Sequence, residues 1–137
     1  MAYWGVTIDD IKADYETAAT TWTDAQLTSA LAVGYDWTRK KLYRNWKERY
    51  ADWDANDAPD AIQRLVLLSI YAELAKRLYY REQLSETYKG AYEDAVKIQK
   101  EQCRQIQTGE LRLDSVSDDL ATLSSIDIDP DNKYEVF

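Results

Sequence analysis

Histidine is absent from this chain, and cysteine, glycine and proline are scarce. Its 137 residues include no His, 1 Cys, 4 Gly and 2 Pro. Without His there is no Ser–His pair, and the commonest general base and metal ligand are missing. A lone Cys103 excludes an intramolecular disulfide and a Cys-based zinc or iron–sulfur site within one chain. The glycines stand too far apart for a phosphate-binding loop. We therefore predict that the protein is not an enzyme and binds neither a cofactor nor a metal.

One acidic stretch imitates the beginning of a calcium-binding loop. It reads Asp-Ile-Asp-Pro-Asp over residues 127–131. The glycine that such a loop requires is replaced by Asn132, and no second helix follows. The stretch is therefore interpreted as part of a solvated acidic arm.

Long apolar runs are missing as well. The longest, around residues 65–68, is far too short to span a bilayer. The N-terminus shows no charged leader followed by an apolar stretch. We expect a soluble intracellular protein with no membrane partner.

Charge is distributed unevenly along the chain. Residues 108–137 hold eight acids and two bases, a net charge of −6, whereas the whole chain carries −8. Residues 1–107 therefore carry only −2. A nearly neutral body argues against a general duplex-DNA binder, which normally has a basic surplus.

Two helix starts are marked by threonines. Thr7 and Thr23 each precede Asp or Gln by three residues, the spacing of a capping box. The first helix is short, with Ile8, Ile11 and Tyr15 as its apolar stripe. In the second, large side chains and Thr38 recur every three or four residues over about seven turns. These positions are Leu27, Leu31, Tyr35, Thr38, Leu42, Trp46, Tyr50 and Trp53.

The sequence also predicts where the second helix ends and where the third begins. Gly34 is expected at a close helix contact, because glycine otherwise costs about 1 kcal/mol there. The segment 52–57 is interpreted as a loop. Pro59 is predicted as the first residue of the third helix, with Asp57 as its cap. Apolar residues, from Ile62 to Leu78, occupy much of the circumference of this helix, so we expect it to be the central one.

A fourth helix is predicted to begin at Ser85–Glu86 and to end before Gly109. One face should hold Tyr88, Tyr92, Ala95, Ile98, Gln102 and Ile106. The fold class is therefore all-α, a bundle of three long helices and one short N-terminal helix. Residues 1–113 form this body. Leu111 and Leu113 alternate with charged residues, which suggests a short extended piece, and residues 114–137 form an acidic arm that orders on a partner.

The only basic run lies on the second helix. It consists of Arg39, Lys40, Lys41, Arg44, Lys47 and Arg49. These side chains could be a solvated face that exchanges ion pairs with neighbouring helices or subunits. They could also contact nucleic acid or an acidic protein surface.

Aromatic residues are abundant, with 11 Tyr and 5 Trp. Tyr79, Tyr80, Tyr88 and Tyr92 cluster around one helix connection. A core of this size cannot enclose all of these rings. Packing in the core and contact with other subunits are both open, since Tyr and Trp are favoured at interfaces.

Several segments together resemble the head–tail connector (neck adaptor) proteins of tailed bacteriophages, in particular the Mu-like connector group. The resemblance covers roughly residues 1–113, and the chain departs from it in segment 52–57, in the length of the second helix and in the acidic tail. It is carried by Tyr3, 7–11 (TIDDI), 58–62 (APDAI), 72–77 (AELAKR), 92–95 (YEDA) and 108–113 (TGELRL).

The resemblance implies a structural virion protein in the neck, assembled in the host cytoplasm. Such a homo-oligomer is usually a ring of twelve copies between portal and tail, around the DNA channel. Its partners would be the portal protein, a tail or stopper/tail-terminator protein and, transiently, genomic DNA. Strand addition is a plausible mode of docking the arm on the portal. The predicted anchors are Ile126, Ile128, Tyr134, Val136 and Phe137.

Two alternatives remain open at this point. The chain could be a small helical nucleic-acid-binding regulator that uses the basic stretch from Arg39 to Arg49. It could also be a tail-completion protein of the same virus class, which would share every compositional feature.

Overall fold

A computed structural model describes residues 3–15, 18–83 and 86–111 of the chain. Within these ranges the protein is all-α and contains no β-strand. Three long helices and a short N-terminal helix form the bundle, as predicted. The helices are α1 (Ile8–Asp14), α2 (Ala18–Thr21), α3 (Asp24–Trp46), α4 (Tyr50–Asn56), α5 (Asp60–Arg81) and α6 (Glu86–Thr108).

Both predicted capping boxes are confirmed. The Thr7 hydroxyl accepts from the Asp10 backbone, and the Asp10 carboxylate accepts from the Thr7 backbone. Thr23 and Gln26 form the same reciprocal pair at the start of α3. Each box satisfies two backbone donors, which fixes where the helix begins.

The predicted loop at residues 52–57 is wrong for all but its last residue. The α3 helix ends at Trp46, a 3₁₀ turn covers Lys47–Arg49, and α4 then runs from Tyr50 to Asn56. The segment stays helical because Tyr50 and Trp53 both pack into the core. The chain leaves α4 at Asp57, whose φ is 66°.

The start of α5 differs from the prediction by one residue. Pro59 occupies the cap position and Asp60 is the first helical residue. Asp57 does not cap the helix, because no side-chain cap bond is formed there. Instead the Pro59 carbonyl accepts from the amides of Ile62 and Gln63, each at 3.0 Å.

Helix α5 is central, as predicted, and packs against both α3 and α6. Its fully buried residues include Ile62, Leu65, Val66 and Ile70. Such an all-round apolar surface is typical of a helix with neighbours on several sides.

The predicted core face of α6 needs one correction. Ile98 is 53% exposed, whereas Gln99 and Cys103 are 6% and 5% exposed. The buried residues Ala95, Gln99, Cys103 and Ile106 recur at steps of four and three, so they share one side of the helix. Ile98 lies about a quarter turn away from that side. At the end of α6, Gly109 takes a φ of 83°, which confirms its predicted role as the residue that terminates the helix.

Candidate interaction surfaces

The basic stretch does not form one continuous surface patch. Arg39 is half-buried in a cluster of aromatic rings. Lys40 pairs with Asp36 of the same helix at 2.9 Å. The ammonium groups of Lys41 and Lys47 lie over the rings of Trp37 and Tyr43, at 5.7 and 5.5 Å. Arg44 and Arg49 are exposed. The run therefore serves several different local contacts.

Arg39 lies within a cluster of side chains from α3, α4 and the N-terminal turn. Its guanidinium carbon lies 5.6 Å from the Trp4 ring, 5.8 Å from Tyr35 and 4.8 Å from Tyr50. Its Nη1 donates to the Tyr35 hydroxyl at 2.7 Å and lies 3.3 Å from the Asp54 carboxylate. Cation–π contacts and a charged hydrogen bond act here together. We call these five residues the Arg39 cluster.

Trp4 connects the N-terminal turn to this cluster. The Trp4 side chain is fully buried, and its indole Nε1 donates to the Asp54 carboxylate at 2.8 Å. The Ala58 amide donates to the Trp4 carbonyl at 3.0 Å. The importance of Trp4 and Asp54 escaped sequence reasoning, because their contacts join residues 50 positions apart.

The tyrosines of the Arg39 cluster stay neutral over a wide pH range. Burial raises the pKa of Tyr50 to about 12, although the nearby Arg39 charge acts in the opposite direction. Burial also raises the pKa of Tyr35. Burial by itself would lower the pKa of Arg39, but Tyr35 and Asp54 outweigh it and keep the guanidinium charged. The Arg39 cluster therefore holds α3, α4 and the N-terminal turn together.

An open groove lies between α3 and α6, with α5 as its floor. It has a volume of about 280 Å³. We call it the α3–α6 groove. Its walls and floor include Val33, Trp37, Glu73, Lys76, Gln99 and Lys100. Below the groove α3 and α5 touch closely, because Gly34 has no side chain to separate them. Helices α3 and α6 contact each other near their C-terminal ends. There Gln107 Nε2 of α6 donates to the Lys41 carbonyl of α3 at 2.8 Å.

The polar groups of the α3–α6 groove are incompletely paired. Glu73 bonds to Arg77 at 2.8 Å and to Lys76 at 3.4 Å. Lys100 is exposed and forms no ion pair with the described part of the chain. Gln99 also lines the groove, and the residue as a whole is 6% exposed. The buried side-chain donors that lack a partner among the described residues are the indole N–H groups of Trp46 and Trp53, not the Gln99 amide. The groove therefore offers an unpaired lysine and a polar amide to an acidic ligand.

A second, more apolar cavity lies on the opposite side of α5. Its volume is about 180 Å³, and Arg81 covers one of its aromatic walls, with the guanidinium 5.1 Å from the Trp22 ring. The hydroxyl of Tyr15 does not point to a ligand, because it donates to the Leu67 carbonyl at 2.8 Å. The lining residues include Tyr15, Trp22, Tyr71, Leu74, Leu78 and Tyr88.

Some of the aromatic residues pack in the core, and others remain at the surface. Trp4, Trp22 and Trp53 belong to the core. Tyr79 stacks on Tyr80 and on Tyr92 at centroid distances of 5.4 and 5.9 Å, which confirms most of the predicted cluster. Large apolar side chains also remain at the surface: Val33, Tyr43, Tyr71, Tyr80 and Ile98.

Other chemistry is limited in the ranges that the structure describes. They contain no group of three His, Cys, Asp or Glu side chains that could hold a metal ion. Burial raises the pKa of the Cys103 thiol. None of the helices described is long and apolar enough to cross a membrane. The predicted arm 114–137 and its anchors Ile126, Ile128, Tyr134, Val136 and Phe137 lie outside the described residues.

Comparisons of the chain with protein-family models, with curated proteins and with solved structures found no match.

Proposed function

We propose that this protein is a head–tail adaptor of a tailed bacteriophage, a structural virion protein that forms a ring between portal and tail. The observation that carries the proposal is a set of large apolar side chains that stay exposed on a well-packed helical body. They lie on several helices and include Tyr43, Tyr80 and Ile98. Apolar side chains that stay uncovered on a folded body are typical of surfaces that bind other chains.

The charge of the body is consistent with a position around a DNA channel. Residues 1–107 carry a net charge of only −2. Strong binding to phosphates needs a local excess of Lys and Arg, and it would slow DNA that has to pass. A nearly neutral wall avoids that attraction. The sequence resemblance to the Mu-like connector group supplies the ring and the neck position.

The alternative of a nucleic-acid-binding regulator has weaker support. Of its six basic residues, Arg39 is engaged in the Arg39 cluster and Lys40 is paired with Asp36. Fewer charges are then free for phosphates. A tail-completion protein of the same virus class remains the second candidate, because it would use the same kind of assembly surface.

The test is direct imaging of the purified full-length protein, alone and mixed with the portal protein of the same virus. We expect a ring with an axial opening that stacks on the portal. Deletion of residues 114–137 should abolish portal attachment while the helical circular dichroism of the body is kept. Unchanged portal binding by the shortened protein would refute the assignment of the arm. Particles without an axial opening under all conditions would refute the adaptor itself.

A further inference from the structure

We propose that the α3–α6 groove is the docking site of the chain's own acidic arm, with residues 126–129 as the segment that fills it. The contact is within one chain and concerns the protein before it meets a partner, because Ile126 and Ile128 have to leave the groove if they anchor the arm on a portal. Its test therefore requires neither a portal nor a ring.

The groove offers three kinds of contact, and the segment matches each of them. Residues 126–129 read Ile-Asp-Ile-Asp. In an extended chain alternate side chains point to opposite sides, so both Ile can face the groove while both Asp face its rim. The apolar wall is formed by Val33, which is 42% exposed, together with Trp37.

The rim of the groove is basic. Lys76 and Lys100 line it, and the Lys41 ammonium lies over the ring of Trp37, another lining residue. Glu73 is the acid of the lining, and two cations already neutralise it. Residues 112–137 hold seven acids and two bases. Opposite charges therefore favour the arm as the occupant.

Gln99 adds a polar group to the lining of the groove. Its side-chain amide has one acceptor and two donor positions. The backbone of an extended segment carries both N–H and C=O groups, so it can pair with this amide. A free inorganic anion could accept from the amide but could not donate to it.

The geometry of the chain brings the arm within reach. After Gly109 the chain turns back, because the Leu111 amide donates to the Gln105 carbonyl at 3.0 Å and Leu111 packs on the core. Gln99 lies nine residues before the end of α6 at Thr108, a distance of about 14 Å along the helix. The 15 residues from Leu111 to Ile126 can span at most about 50 Å. A tethered segment also has a high effective concentration, which favours its own groove over that of another copy.

The experiment is carbodiimide cross-linking of the dilute full-length protein, followed by mass spectrometry. The reagent joins lysine amines to carboxylates that touch them, and Lys40–Asp36, at 2.9 Å, is a built-in positive control. We expect links from Lys76 or Lys100 to Asp127 or Asp129. In a mixture of isotopically light and heavy copies, these links should occur within single chains.

Three variants make the result specific. The double substitution Ile126→Ser and Ile128→Ser should reduce the links about tenfold, because an apolar contact of this size shifts an equilibrium by roughly that factor. Leu120→Ser with Leu123→Ser is the matched control in the same arm and should leave them unchanged. The charge swap Lys100→Glu with Asp127→Lys should restore a link between these two positions.

Either of two results would overturn the proposal. Links found only between light and heavy copies would assign the groove to a second chain. Equal links from the arm to all exposed lysines, or equal loss in the control variant, would show that the arm does not occupy the groove. Ring formation by the same sample is a separate observation, so failure here is distinguishable from failure of the adaptor function.

Discussion

Gly34 of α3 lies directly against Ile70 of α5. A Cβ atom added to Gly34 would be 2.7 Å from Ile70 Cγ1 and 2.9 Å from the Ile70 backbone nitrogen. Both distances are too short for carbon contacts, and one of the neighbours is backbone that cannot rotate away. The hydroxyl of Thr38, one turn later, donates to the Gly34 carbonyl at 2.9 Å and lies 3.2 Å from Ser69 Oγ. Small side chains therefore let the two helices approach closely beneath the α3–α6 groove.

Substitution Gly34→Ala should destabilise the fold by about 1–3 kcal/mol, because the overpacking outweighs the gain in helix propensity. The matched control is Gly90→Ala in α6, where an added Cβ meets no atom within 4 Å. The control should stabilise the fold by up to ~1 kcal/mol. Urea unfolding followed by circular dichroism measures both. Equal stabilisation by the two substitutions would contradict the close helix contact.

Arg39 should matter for stability more than for any surface contact. Arg39→Ala is expected to lower the free energy of unfolding by about 2 kcal/mol, since it removes contacts to three rings and leaves Asp54 with one partner fewer. Arg49→Ala, at an exposed position of the same basic run, should change it by less than ~0.5 kcal/mol. Chemical unfolding of both variants gives the comparison. If Arg49→Ala costs as much as Arg39→Ala, the Arg39 cluster is not what stabilises this region.

Alkaline pH should destabilise the protein through Tyr50. Burial raises its pKa to about 12, above the ordinary value of 10.0, so the folded state keeps the proton that the unfolded state releases. Stability is fully present below pH 10 and is lost as the pH rises from about 10 to about 12. Tyr50→Phe should be less stable at neutral pH, because it loses the hydrogen bond to the Arg39 carbonyl.

The decisive measurement for Tyr50 is the urea midpoint at several pH values between 8 and 12. The decline should be shallower in Tyr50→Phe than in the parent protein. Tyr80→Phe is the control, because that ring is largely exposed, and it should decline like the parent. A parallel decline in all three proteins would remove Tyr50 as the cause.

Asp57 adopts a backbone conformation that favours glycine. Its φ of 66° and ψ of 152° fall in a region that costs side-chain-bearing residues about 1–3 kcal/mol. Asp57→Gly should therefore stabilise the fold by about 1 kcal/mol, after the extra entropy of an unfolded glycine is subtracted. Asp60→Gly, at the first residue of α5, should instead destabilise it. A rise in the melting temperature of Asp57→Gly by a few degrees, against a fall for Asp60→Gly, is the expected result; a fall for both would contradict the strain.

Much of the fold was predictable from the sequence because its signals are local. A capping box involves residues three apart, so Thr7 and Thr23 could be assigned directly. The spacing of Leu27, Leu31 and Leu42 predicts the buried side of α3 in the same way. Gly34 was expected at a close contact because glycine has no local advantage inside a helix. The segment 52–57 was predicted as a loop because of its polar composition, whereas the burial of Trp53, together with that of Tyr50 just before the segment, keeps α4 helical.

The sequence by itself determined an all-α fold, the starts of α1 and α3, and the concentration of acidic charge in residues 108–137. Only the tertiary structure decided which side chains meet. In the sequence Arg39 is one of six similar basic residues. Its contacts with Trp4 and Asp54, which come from other parts of the chain, distinguish it only in the folded protein. Ile98 is exposed, against the prediction, and Gln99 is buried, because the packing of α6 against α5 decides which side of α6 faces inward. Helical periodicity shows which residues share one side of a helix. It does not show which residues far apart in sequence contact each other, because those contacts depend on how the helices pack.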